Sequence, residues 1–531
     1  MVSAAQPLAT EAGVRMLELG GNAADAAVAA GFAIAIVEPT MNSIGGRNQI
    51  LVHLPDGRVV GIDGTTQAPW DYDYDSAPQA DYGYPVVGVP GAAAGLLKLH
   101  AEHGSLPLAT VMAPAIDYAE NGFRVLPGDA ARQNAAADDI AEFPGSREVF
   151  QEEDGTAYDA GDLLRQPDYG ATLRALVEGG RDAFYRGEIA EAMAADLATN
   201  GSALTLQAFH DYEAKDSGIL RGTYRGYEIV GLDVPAAGAV VIQALHILEH
   251  FDPADLTEAE WSAVVGQAIG AASPELRALG TDSAAARAVS KEWAARMAQE
   301  IQAPEESRVG VSAESSDGAG KAATGESMAR WASAPLPPPL DPRGDGQGHT
   351  THLTTADSAG MMVALTQTLG PNMGSKVVTP GLGFLYASTL GGYLGRMEPG
   401  ERARSYISPV MVLRDGQPVL ALGAAGGSRI VAGVTQVISR MVDQDMSLAG
   451  ALEAPRVFMT DDALQAETSP VIGWTPAELR QMRGLGLDVV GVERAGAFSR
   501  VHAVHFDREA DAWIGGADPD WEGSARGPGG D

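Results

Sequence analysis

Apolar residues recur at helical spacing from the start of the chain. The run "ATEAGVRMLELGGNAADAAVAAGFAIAIVEP", residues 9 to 39, predicts a helix through Leu19, a break at Gly20-Gly21, and an alanine-rich helix from about Asn22 to just before Pro39. Asn22 suits the N-cap and Asp25 sits in the first turn, where a carboxylate meets the positive end of the helix dipole. Alanine at 23, 24, 26, 27, 29 and 30 predicts close packing against another element. The next stretch, "NQILVHLPDGRVVGIDG", alternates like two strands around a turn at Pro55, Asp56 and Gly57.

From Pro90 to about His250 the pattern is mainly helical and punctuated by glycine and proline, ending in a strand, "GYEIVGLDV", and a buried helix, "GAVVIQALHILEHF". Residues 253–305 predict further acidic helices, and residues 306–349, rich in Ser, Gly, Ala and Pro, read as a mobile linker. Strands then dominate in "THLTTAD", "MMVALTQTL", "SPVMVLRDGQPVLALG" and "VHAVHFDREADAWIGGAD", with one long helix at "SRIVAGVTQVISRMVDQ". Helices come early and strands late, so residues 1–349 and 350–531 are expected to build one layered fold jointly.

Composition narrows the chemistry. Seventy acidic against 36 basic residues give a net charge of −34, which repels nucleic acid. No apolar run approaches the ~20 residues that span a bilayer, and the first residues lack the basic and apolar regions of a signal peptide, so a cytoplasmic location is expected. The absence of cysteine removes disulfides, thiolate metal sites and a cysteine nucleophile together. The histidines form no metal-ligand spacing, so neither metal nor cofactor is implied.

The linker ends at "GDGQGHTTHLTTAD", residues 344 to 357. A threonine hydroxyl needs a base, and a chain-terminal threonine carries one in its own α-amine, of pKa roughly 7.7–8.0. Cleavage between His349 and Thr350 would create that terminus. The plainer alternative is a linker followed by a strand that begins Thr-Thr, since threonine is common in strands.

Beyond this stretch, "QPLATEAGVRMLELGGNAADAAVAA", "GVPGAAAGL" from Gly88, "APAIDYAENGF" from Ala113, "GGRDAFYRGEIA" from Gly179, "TTHLTTAD" from Thr350, "GAAGGSRI" from Gly423, "EAPRVF" from Glu453 and "GADPDWEG" from Gly516 occur in that order. In these motifs the chain resembles the γ-glutamyltranspeptidase family of N-terminal-nucleophile hydrolases. The resemblance implies an α+β, four-layer αββα sandwich and a precursor that cuts itself into large and small subunits, which remain together as a heterodimer. It implies Thr350 as nucleophile, Thr368 as the threonine that supports it, and Gly426 and Gly427 as the oxyanion-hole pair. Ser405 matches the first serine of the family's substrate-binding run, where Tyr406 replaces the second. His352 reads as structural.

Departures cluster where the family grips a γ-glutamyl group. Thr65 stands in place of the arginine that holds the substrate α-carboxylate, Gly391 and Gly392 in place of the Asp-Asp pair for the α-amine, and Gly370 in place of an asparagine. The "PPPSSGG" loop has become "DVPAAGA". Arg47, in "SIGGRNQI", is the candidate replacement charge. The expected function is a γ-glutamyltransferase-like enzyme acting on small amides through an acyl-enzyme. An amidohydrolase for another acyl group, of the oxamate or glutaryl kind, is the alternative, and an uncut binding protein is the reading from a different class.

Overall fold

The computed structural model describes residues 1–273, 290–309, 349–469, 472–493, 497–520 and 522–529. The alanine-rich stretch forms a helix at Ala23–Val37, packed beside Pro7–Glu18, with each of its residues buried. Asn22 accepts a bond from the Asp25 amide and Asp25 accepts one from the Asn22 amide at 2.9 Å, a reciprocal cap that satisfies two otherwise orphaned donors. The same carboxylate also receives the amides of Ser105 and Leu106, tying the helix start to a distant loop. Small residues let neighbours approach: a Cβ on Gly31 would lie 2.7 Å from Leu96.

Two antiparallel sheets carry the fold. The first has seven strands in the order Ser524–Arg526, Val2–Ala4, His349–Ala356, Met362–Gly370, Arg47–His53, Val59–Gly64 and Lys215–Asp216. The second has six, in the order Ala512–Ala517, Arg500–Asp507, Gln417–Ala425, Val410–Arg414, Tyr227–Leu232 and Ile219–Tyr224. Leu51, Met362 and Ala364 from one sheet meet Val230, Met411, Ala421 and Val504 from the other in a shared apolar layer. The outer face of the first sheet is covered by Ala23–Val37 and its neighbours, and that of the second by Gly238–Leu248, Glu258–Ala272 and Ile430–Asp443. This is the four-layer αββα arrangement, an α+β fold.

Both sheets mix strands from either side of residue 350. The two strands at one end of the first sheet, Val2–Ala4 and Ser524–Arg526, are too short to leave a periodic signal, and the sequence does not announce them. Most of the expected linker, residues 310–348, lies outside the described residues, as does 274–289 within the acidic helices. The linker's two ends depart from the expectation. Glu305–Ser307 is a helical turn, and the Arg308 guanidinium donates to the carbonyls of Ala298 at 2.9 Å and Ile301 at 2.7 Å. His349 is buried and opens a strand, because its backbone pairs with Gly370. Among the described residues no helix is long and apolar enough to cross a membrane.

Candidate active site

Thr350 is the second residue of His349–Ala356, in the middle of the first sheet, and Thr368 lies opposite it on Met362–Gly370. Arg47 lies opposite Thr368 on the next strand. Alternation along the strand sends Thr350, His352 and Thr354 toward the second sheet, while Thr355 bonds Ala23 on the helical side. The register shifts between Thr368 and Gly370, an irregularity that Gly370 accommodates with a φ of 95°.

That bulge organises the hydroxyls. The Gly370 amide donates to Thr368 Oγ1 at 2.9 Å, and Thr368 Oγ1 donates to the His349 carbonyl at 2.5 Å. A hydroxyl has one proton, so Thr350 Oγ1, 3.2 Å away, is the donor to Thr368. The carbonyl preceding Thr350 thus accepts from the same hydroxyl that accepts the Thr350 hydrogen bond.

Around these groups is a recess of ≈ 20 Å³, lined by Arg47, Thr350, Thr368, Gly370, Ser405, Tyr406, Ile407, Gly427 and Ile430. It has room for about one water molecule. Gly426 (φ 140°) and Gly427 (φ 58°) form the sharp turn between strand Gln417–Ala425 and helix Ile430–Asp443. Gly427 reaches the recess and Gly426 lies directly behind it, where a Cβ would approach Ser499 Cα to 2.9 Å. The first amides of a helix have no intrahelical acceptor, so the turn offers donors to a developing negative charge. Ser405 is held by its amide on the Pro235 carbonyl, which brings the altered "DVPAAGA" loop against the recess.

Arg47 is buried, and burial pushes its guanidinium below the usual arginine range. Its Nε and Nη1 have no hydrogen-bond partner among the described residues.

Thr65, which stands in place of the family's carboxylate-binding arginine, does not line the recess. Its hydroxyl and amide are both spent on Asp63 Oδ1, at 2.6 and 2.9 Å, and its carbonyl accepts from Tyr212. Asp63 in turn faces Arg402 at 3.3 Å, so a closed internal network fills the position. His352 bonds Thr366 at 2.8 Å and Thr354 at 2.9 Å, and burial pushes its pKa well down, which makes it a neutral structural ring. Two nearby groups escaped sequence reasoning. The Tyr393 hydroxyl lies 3.2 Å from where a Gly370 Cβ would stand, and Glu38, buried beside Thr351 on the helical side of the strand, has its pKa raised to about 7 by burial. The "GGY" at 391 to 393 was a visible signal for the first; Glu38 left none.

A larger cavity of ≈ 390 Å³ lies away from these residues, around Leu97, Lys98, His100 and Arg181. Its charges are already paired, Lys98 with Glu102 and Asp216, Arg181 with Asp182.

Compared with known sequences, residues 9–527 match the family model described as gamma-glutamyltranspeptidase. The chain belongs to the γ-glutamyltranspeptidase family. Among its γ-glutamyltranspeptidase relatives, the acylase ACY 1 proenzyme of Pseudomonas sp. (strain V22) is 34% identical over 88% of this chain and 84% of that protein. The glutathione hydrolase proenzyme of Escherichia coli (strain K12) is 29% identical over 92% of this chain and 84% of its own length. Among solved structures, cephalosporin acylase from Bacillus halodurans superposes with a TM-score of 0.84 at 26% identity, covering 100% of this chain and 96% of that one.

Proposed function

We propose that the protein is a precursor that cuts itself between His349 and Thr350 and then acts as a threonine-nucleophile amidohydrolase or acyltransferase on small amides. The supporting observation is the chain of hydroxyls from Thr350 through Thr368 to the His349 carbonyl. As Thr350 Oγ1 attacks that carbonyl carbon, its proton passes to Thr368, and the Thr368 proton passes to the carbonyl oxygen. Breakage of the C–N bond, with proton return to the nitrogen, leaves an ester, and water releases the first piece with a His349 carboxylate. The freed Thr350 amine then serves as base for attack on a substrate amide, with Gly426 and Gly427 holding the oxyanion. The two pieces stay together as a heterodimer.

Intact mass under denaturing conditions and N-terminal sequencing test this reading. Two chains, one beginning Thr350-Thr351-His352, are expected; a single chain of 55.0 kDa that persists for days would refute it and favour the binding protein. Activity should fall in acid as the Thr350 amine, ordinarily of pKa roughly 7.7–8.0, becomes protonated. A rate flat from about pH 5 to 9 would remove that amine as the base.

Among the acyl groups the family handles, a non-γ-glutamyl one is favoured by the backbone at Gly391 and Gly392. Both have positive φ, and a Cβ would come within 3.0 Å of the Pro85 carbonyl at one and 2.5 Å of Gln79 Oε1 at the other. An acidic pair would be strained on that left-handed backbone, and the recess lining contains no carboxylate for an α-ammonium. Turnover of glutathione, measured beside a panel of monoamides, should be the slower reaction.

A further inference from the structure

We infer that Arg429 is a positioning residue for acyl transfer: it ties the turn at Gly426 and Gly427 to a small third sheet and so fixes where the Gly427 amide points. The inference rests on the oxyanion role proposed for that glycine pair.

The third sheet has three strands, Val457–Met459, Leu464–Glu467 and Val489–Val492, and none of its residues lines the recess. It grips the neighbourhood of the turn at three places. Arg429, two residues beyond Gly427, has its guanidinium 4.9 Å from the centroid of the Phe458 ring and 5.9 Å from that of Phe498, within the ~6 Å over which a cation is drawn to an aromatic face. Its Nη2 donates to Gln465 Oε1 at 2.8 Å, and Gln465 is the cross-strand partner of Phe458. Further along the helix Ile430–Asp443, Gln436 exchanges two bonds with the Val457 backbone, at 2.9 and 3.0 Å. Arg456, beside the first strand, donates at 2.9 Å to the carbonyl of Ser499, the residue that backs Gly426.

The turn needs such an anchor. Two glycines in succession, at φ 140° and 58°, restrain the backbone little, and the helix that follows has neither a capping side chain nor an acid in its first turn. A cation at the start of a helix also opposes the helix dipole. Arg429 is held there by Phe458, Phe498 and Gln465, while its own amide donates to the Gly426 carbonyl at 3.1 Å. Side chain and backbone of one residue thus join the sheet to the turn. Aim matters because a displacement of ~1 Å in an active site can cost about 100-fold in rate. Self-cleavage takes a different route, since there the Thr368 hydroxyl meets the carbonyl oxygen. The two reactions therefore separate aim at the turn from general damage to the fold.

The test compares wild type, Arg429→Met, Phe458→Leu and Gly427→Ala. Turnover is followed with the p-nitroanilides of γ-linked glutamic, glutaric and butyric acids, self-cleavage by the time course of chain separation on denaturing gels, and folding by the urea midpoint. Arg429→Met should lower kcat by about 10-fold at constant KM, a fraction of the roughly 100-fold cost of losing an oxyanion donor outright. Its self-cleavage should stay within about twofold of wild type, and Phe458→Leu should move kcat in the same direction by less. An unchanged kcat, an effect confined to KM, or equal slowing of turnover and self-cleavage would each overturn the assignment. Gly427→Ala keeps the oxyanion reading separate: if it slows turnover while Arg429→Met does not, only the Arg429 inference fails, and if it leaves turnover unchanged, the oxyanion role of the turn fails with it.

Discussion

Thr368 holds more of the proposed chemistry than its place in a strand suggests. Its hydroxyl accepts from Thr350 and from the Gly370 amide and donates to the His349 carbonyl. Thr368→Val keeps the β-branched shape and removes all three bonds, so self-cleavage should slow by roughly 100-fold, the usual scale for losing one oxyanion donor. The time course of chain separation on denaturing gels measures this, and an unchanged rate would make Thr368 a packing residue. Glu38 gives a second prediction. Burial lifts its pKa from 4.5 to about 7, so the native state favours the neutral acid. Its contribution to stability is therefore complete below about pH 4.5 and declines as pH rises toward 7. Urea midpoints across that range should fall less steeply in Glu38→Gln, and parallel slopes would mean that Arg132 and Arg500 already hold the carboxylate ionised.

Among the elements, the helix Ala23–Val37 is the one whose sequence and structure agree most closely. Asn22, Asp25 and the crowded alanines each have a local physical reason, and each does what that reason requires. Asn22→Ala should lower stability by about 1 kcal/mol, read as a shift in the denaturation midpoint. The strand containing Thr350 was legible for a similar reason, its β-branched run, and the turn at Gly426 and Gly427 through its paired glycines. What escaped the sequence was set by distance along the chain. Thr65 is enclosed by Tyr212 and, through Asp63, by Arg402, and Arg47 feels Tyr393, each far away in sequence. Short strands such as Val2–Ala4 exist because their partners do, and three residues carry no period of their own.

At the scale of the whole molecule, 34 excess negative charges repel one another across the surface. Raising salt from a few millimolar to 0.5 M shortens the Debye length well below ~10 Å and should raise the melting temperature. A scan of melting temperature against sodium chloride tests this; a fall would mean that surface ion pairs such as Arg174 with Glu120 outweigh the repulsion.

The interleaving of the sheets has a consequence for time as well as for shape. Val2–Ala4 lies between His349–Ala356 and Ser524–Arg526, so strands from the two sides of the proposed cut alternate within one hydrogen-bonded ladder. Before cleavage, refolding is a search by one tethered molecule. Afterwards it is a meeting of two, and recovery from denaturation depends on concentration. Self-cleavage would thus make folding a step that each molecule completes efficiently once, with the mature enzyme protected by slow opening rather than by easy repair.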